Sequence, residues 1–308
     1  MSTEHSWAYD SLWAKARVYV QRALEEKREN DLFPLWATIT LELVARAALA
    51  KVHPALLADP REGEHILYAF GYPKSSDYVP ISIPTKTVFE RCEVIIPDFT
   101  VVEKNICKQL TSRRNEELHS GGAGFSHYPT NKWLSNYYRT LRILLEHQGK
   151  TLKDLLGKTE ADAAEEMIAE RAADLEKTVR DRISKAKKLF EKLSEAEKEK
   201  HIMAANAGRR GWIGYGRYTF CPACNQKAVL AGKLISLSDG KVSEDFIVQQ
   251  HNILPTFLHC RCCGLQINGH AELDVIQLGG QYTMEEAYDP KEYFDIPNQE
   301  PDFDYGND

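Results

Sequence analysis

Five of the seven cysteines in this 308-residue chain fall between Cys221 and Cys263, and four of those can be read as two C-x2-C pairs. The first pair is Cys221-Pro222-Ala223-Cys224, and the second is Cys260-Arg261-Cys262-Cys263, followed by Gly264. A C-x2-C turn holds two thiolates on one side of a tight loop, and two such turns can close four sulfurs tetrahedrally around Zn2+. The proline in the first turn and the glycine after the second favour that tight geometry. Four thiolates leave no open coordination position, so a metal held this way supports folding rather than catalysis. Cys262 is an alternative to Cys263 as the fourth ligand, and His251 and His259 are further candidates. An odd number of cysteines with metal-ligand spacing fits a reducing compartment better than a disulfide framework. Cys92 and Cys107 stand singly in helical contexts and read as packing residues.

The two knuckles resemble a zinc ribbon, in which Lys227 to Leu237 and Asp245 to Gln250 would supply strand or short-helix material. Residues 265 to 283 would supply one or two closing strands. Upstream the patterning is helical. Leu12, Trp13, Ala16, Val20 and Leu24 recur at three- and four-residue steps, and an apolar helix follows Pro34 over residues 35 to 51. A proline-rich stretch from Pro54 to Pro97 interrupts the pattern, with a short helix expected around Thr85 to Val94. A helix from Asp98 or Thr100 then runs to Gly121-Gly122, and another spans Asn131 to Gln148. Between 158 and 207, Ile168, Ala172, Leu175, Val179, Ile183, Ala186, Phe190 and Leu193 form an apolar seam among Ala, Glu, Lys and Arg. It predicts a long amphipathic helix or coiled coil, a connector that also helps the chain to dimerise. The expected class is mainly α: a helical bundle over 1–157, a charged helical connector over 158–208 and a small α+β or β zinc-ribbon-like module over 209–284. An acidic tail, partly disordered, is expected over 285–308.

The net charge of −6 conceals an uneven distribution. Residues 285–308 hold nine acids against Lys291, so that segment carries −8 and the rest of the chain stands near +2. The body is therefore compatible with nucleic acid. Arg209, Arg210, Trp212, Tyr215, Arg217 and Tyr218 interleave guanidiniums with rings just before the first knuckle. Rings can stack on bases while guanidiniums meet phosphates. The N-terminus lacks a basic segment followed by an apolar one, and no run of about eighteen apolar residues occurs. The expected location is the cytoplasm, with no membrane association.

Within the helix expected to end near Gly121 lies Arg114-Asn115-Glu116-Glu117-Leu118-His119. On a helix Asn115 and His119 share a face, and the long Arg114 side chain can reach across the turn towards it. One phosphate could meet all three. RNA carries its own nucleophile, the 2'-hydroxyl, so cleavage needs only proton transfer and charge stabilisation. Histidine suits the first task and arginine the second.

This arginine, polar residue and histidine resemble the motif of the HEPN superfamily of all-helical domains, and the apolar segment Leu35 to Ala50 resembles an early core helix of such domains. The resemblance covers residues 1 to 157. It implies a metal-independent endoribonuclease whose composite site forms where two motifs face each other in a homodimer, and whose products carry a 2',3'-cyclic phosphate and a 5'-hydroxyl. It implies Arg114, Asn115 and His119 as catalytic residues, with Glu42 or Arg46 tuning them. Family members of this kind act as toxins or anti-phage defence effectors. An RNase without restraint would harm its host, and the acidic tail, a partner protein or a conformational latch are the candidates for that restraint. The rival reading is a non-catalytic adaptor that binds a partner or nucleic acid through the bundle and the ribbon. In one toxin branch a Tyr-x-Tyr closely follows the histidine, but here the nearest tyrosine is Tyr128, which sets this chain apart from that branch.

Overall fold

The computed structural model describes residues 6–207, 215–243 and 245–294. Its order is α1 (Tyr9–Glu25), α2 (Leu32–Val52), a 3-10 turn (Pro54–Leu57), α3 (Gly63–Ala69), α4 (Thr85–Ile95), α5 (Val101–His119), a 3-10 turn (Thr130–Lys132), α6 (Leu134–His147), α7 (Leu152–Leu156), α8 (Lys158–Glu191) and α9 (Glu195–Ala207). There follow β1 (Gly216–Phe220), β2 (Lys227–Leu237), β3 (Lys241–Ser243), β4 (Phe246–His259), β5 (Gln266–Asn268), α10 (His270–Val275), β6 (Tyr282–Tyr288) and α11 (Pro290–Tyr293). The chain is mainly helical, with an antiparallel sheet in its C-terminal part. It divides into two compact units, Met1–Arg171 and Ala172–Asp308.

The first unit is organised around α2, which packs against α1, α4, α5 and α6. Residues Val44, Ala45, Ala47, Ala48 and Leu49 have essentially no exposure, as expected of a helix that is apolar almost all round. By length and composition α2 could cross a membrane, yet 67% of its most apolar window is buried inside the structure. It starts at Leu32, ahead of the expected boundary, because Pro34 sits in the first turn where its missing N–H costs nothing. The proline-rich stretch also forms α3, which its weak periodicity did not announce.

Two devices fix α5 at its start. Thr100 and Glu103 form a reciprocal capping box, and the buried Glu103 carboxylate also meets Arg139 of α6 at 2.6 Å. At its far end, the segment after His119 folds back on the helix. The Gly124 N–H donates to Glu117 Oε2 at 2.8 Å, and Arg113 Nη1 donates to the Gly124 carbonyl at 2.9 Å. The Arg113 guanidinium lies 4.0 Å from the centre of the Tyr128 ring.

In the second unit every strand pairing is antiparallel, the order being β1-β2-β4-β3, and β5 and β6 also pair with β4. One side of the sheet buries Ala228, Leu230, Leu258 and Ile267. Val179 and Ala186 of α8 join that core, whereas Ile168, earlier on the same helix, belongs to the core of the first unit. The seam expected to dimerise is thus largely used within the chain. The connector is also two helices, because Ser194 and Glu197 cap a fresh start for α9. Glu285–Tyr288, which composition groups with the acidic tail, form the second half of β6 opposite Ile247–Gln250 of β4. Residues 295–308 lie outside the described residues.

A Cβ on Gly124 would collide with the Arg113 carbonyl and crowd the Glu117 amide. Gly124→Ala is therefore expected to lower stability by about 1–3 kcal/mol, the usual cost of overpacking against backbone. Urea unfolding followed by helical circular dichroism measures it, and an unchanged midpoint would show that the segment yields freely.

Candidate functional site

Glu42 lies on the face of α2 that meets α5, and it divides its carboxylate between two arginines. Oε1 accepts from Arg46 Nε at 2.9 Å, one helical turn away on the same helix, and Oε2 accepts from Arg114 Nη2 at 3.0 Å. Arg46 is held further by Ser82 Oγ at 3.1 Å and the Ile83 carbonyl at 3.2 Å. The side chains of Glu42, Arg46 and Arg114 are only 14–16% exposed, so this is a partly desolvated pair rather than a solvated surface contact. The structure therefore brings Arg114, Glu42 and Arg46 together. Arg114 Nε is buried and has no hydrogen-bond partner among the described residues.

Asn115 and His119 are placed differently. Both are exposed on the last two turns of α5, four residues apart on one face, with no hydrogen bond or ion pair to either side chain among the described residues. The arrangement offers an exposed imidazole and amide on the same helix as the braced Arg114, whose guanidinium is turned towards α2. A cleft of about 460 Å3 opens by the other end of the acid–arginine group, lined by Lys15, Glu42, Arg46 and Ser82 among others.

The second constellation is the cysteine cluster. The sulfurs of Cys221, Cys224, Cys260 and Cys263 all lie within 4.8 Å of one another. Cys221 Sγ is 3.5 Å from Cys263 Sγ, and Cys224 Sγ is 3.5 Å from Cys260 Sγ. The two knuckles repeat one backbone pattern. Cys221 N–H donates to the Gln226 carbonyl at 2.8 Å, and Cys260 N–H donates to the Leu265 carbonyl at 2.9 Å. Asn225 N–H returns to the Cys221 carbonyl at 3.0 Å, and Gly264 N–H returns to the Cys260 carbonyl at 2.8 Å. Asn225 and Gly264 both have positive φ, 56° and 74°, a conformation open to asparagine and glycine. This equivalence pairs Cys263 with Cys224, and Cys263 rather than Cys262 stands in the group of four sulfurs that could hold a metal ion.

Cys262 is instead buried, with its carbonyl facing His201 Nδ1 of α9 at 3.0 Å. His251 packs edge-on against Tyr215 and lies 3.3 Å from Glu286 Oε2, while His259 stands beside Phe257. None of the three joins the cluster. Without a cation the thiols compete: hydrogen bonding with Cys221 and Cys263 holds Cys260 well below the usual thiol range. The Cys260 contact in turn pushes Cys221 up to about 12. Four sulfurs this close share negative charge comfortably only around a metal ion. Elsewhere, burial pushes Cys92 up to about 12 and holds Cys107 well above the usual thiol range, as befits inert packing residues.

The arginine- and ring-rich stretch is only partly described. Arg209, Arg210 and Trp212 lie outside the described residues. Tyr215 packs against the core of the second unit, and Arg217 lies over the Tyr282 ring at 4.4 Å from its centre. Tyr218 points to the opposite face and is 55% exposed. Phe220, the last ring of that stretch, lies on the same face as Tyr218, while Lys227 opposite it carried no such signal in the sequence. Strand alternation over 216–220 held that signal, but only the pairing with β2 shows which side is solvent.

No family model matches this chain, and no curated protein or solved structure matches it either.

Purified protein is expected to carry one metal ion per chain by elemental analysis. Cys263→Ser should lose it and Cys262→Ser keep it; retention by both or loss from both would contradict the pairing of the knuckles. For the acid–arginine group, Glu42→Ala strands two guanidiniums, whereas Arg114→Ala leaves Glu42 paired with Arg46. The expected losses of stability are about 3 and about 1–2 kcal/mol respectively, and urea titration gives the order.

Proposed function

We propose that the chain is a metal-independent endoribonuclease of the HEPN type, acting in the cytoplasm as a homodimer, with a C-terminal zinc-ribbon-like module. The observation that carries this reading is the end of α5: Asn115 and His119 exposed on one face, beside an arginine braced by Glu42. Bracing matters because an arginine held in place meets a phosphate without first losing its own conformational freedom. The motif of one copy offers a single imidazole, that of His119, whereas transphosphorylation of RNA uses both a base and an acid. A second copy facing the first would supply the other His119.

The step then balances. One His119 takes the proton of the 2'-hydroxyl as that oxygen attacks phosphorus. The P–O5' bond breaks, and the protonated His119 of the second copy gives its proton to the leaving 5'-oxygen. Arg114 offsets the charge that grows on the non-bridging oxygens, and Asn115 orients the phosphate or an imidazole. The products are a 2',3'-cyclic phosphate and a 5'-hydroxyl. The four cysteines would hold Zn2+ in a closed site, which shapes the module and takes no part in cleavage. Such an activity fits a toxin or an anti-phage effector restrained by a partner protein.

A second reading draws on the same ion pair. Arg114 already satisfies Glu42, and a purely structural role for that pair would make the chain a non-catalytic adaptor binding RNA or a partner protein.

Total RNA incubated with the parent chain in excess EDTA, beside its His119→Ala variant, separates the two. Cleavage by the parent, leaving cyclic phosphates, and a loss of at least about a hundredfold in the variant are expected. Equal cleavage by both would exclude His119, and no cleavage by either favours the adaptor.

A further inference from the structure

The outward face of the C-terminal sheet has the makings of a base-stacking surface. In β1, Tyr218 and Phe220 alternate with inward residues and are 55% and 69% exposed. The register sets Tyr218 opposite Val229 and Phe220 opposite Lys227, and continues from Val229 to His259 on β4. Ala231 lies opposite Phe257, which brings a further ring onto the same side. The intervening positions Ala228, Leu230 and Leu258 are buried on the other face, where Arg217 at the edge is exposed. Lys227 Nζ stands 6.0 Å from the centre of the Tyr218 ring. Phe257 and His259 have ring centres 6.0 Å apart.

At the end of this row, a cleft of about 260 Å3 opens between α9 and the β1–β2 turn. Phe220 and Lys227 line it together with the amide-bearing Asn206, Asn225 and Gln226. It can admit one nucleobase, with the Asn225 and Gln226 amides placed to donate to and accept from a base edge. The charge is also of the right sign. In a chain with 45 acids, the outward row Tyr218, Phe220, Lys227, Val229, Phe257 and His259 contains none.

We infer that this face binds single-stranded RNA, with bases on the Tyr218 and Phe220 rings, one base in the Asn225–Gln226 cleft and a phosphate against Lys227. Every base has a π-face, so rings in a row accept a strand of mixed sequence, while a duplex hides its base faces and is excluded. The choice of RNA rests on the ribonuclease reading; the stacking surface does not.

Fluorescence anisotropy of a labelled single-stranded oligoribonucleotide tests this, using the full chain with His119→Ala to prevent cleavage. Phe220→Ala is expected to weaken binding on the order of tenfold, and Phe220→Tyr to retain it. Lys227→Gln should reduce the slope of log affinity against log salt by about 0.7, the value for one phosphate contact on a single strand. Both side chains are exposed, so metal content and circular dichroism should not move. Absence of binding, equal binding by Phe220→Ala, or preference for duplex RNA would overturn the assignment. Binding that depends on Phe220 while the parent chain fails to cleave would uphold this surface and defeat the nuclease reading. Cleavage with binding indifferent to Phe220 would do the reverse.

Discussion

A single carboxylate, Glu42, determines how the helical unit presents its chemistry. It comes from the most buried helix in the structure and gives one oxygen to Arg46 and the other to Arg114. A carboxylate with two guanidiniums is over-neutralised, so one arginine can turn towards an incoming anion without stranding the acid. Asn115 and His119 depend on the same anchor. They project from the last turns of α5, and the position of those turns follows from the Arg114 contact at one end and the Thr100–Glu103 box at the other. The packing of α2 thus reaches the candidate chemistry through one ion pair.

In the sheet unit, the cysteine knuckles have the corresponding role. Cys221 directly follows β1, and Cys260 directly follows β4. A metal held by four sulfurs within 4.8 Å of one another would therefore fix the ends of two strands, and with them the registers of β1 on β2 and β2 on β4. A slip of one residue would send Tyr218 and Phe220 into the core and bring Thr219 out. The cluster thereby decides which side chains reach solvent, although its closed donor set leaves it without chemistry of its own.

Much of this was legible in the residues, and the exceptions have physical causes. The span of β2 follows from its composition and flanking turns, and the knuckles follow from spacing alone. The choice of Cys263 over Cys262 was written in Gly264, since a left-handed residue follows the second cysteine of each knuckle, but a backbone angle is not a sequence pattern. Arg114 could be read as a phosphate ligand, while its bond to Glu42 joins residues 72 positions apart and no local signal carries it. The seam in α8 carries true helical periodicity. Periodicity says that a face is buried but not by what, and here Val179 and Ala186 meet the same chain's own sheet core. Glu285 and Glu286 look like a solvated tail by charge, yet β4 is long enough to pair with them, and backbone hydrogen bonding does not consult side-chain charge.

Because the seam of α8 is largely occupied within the chain, the case for a dimer rests on the proposed chemistry: one His119 per chain for a cleavage that would use two imidazoles. Sedimentation of the chain at the concentration at which it cleaves RNA tests this most directly. The account predicts that cleavage accompanies the mass of two chains and fades as dilution yields single ones. A single chain that cleaves RNA at full rate would contradict it.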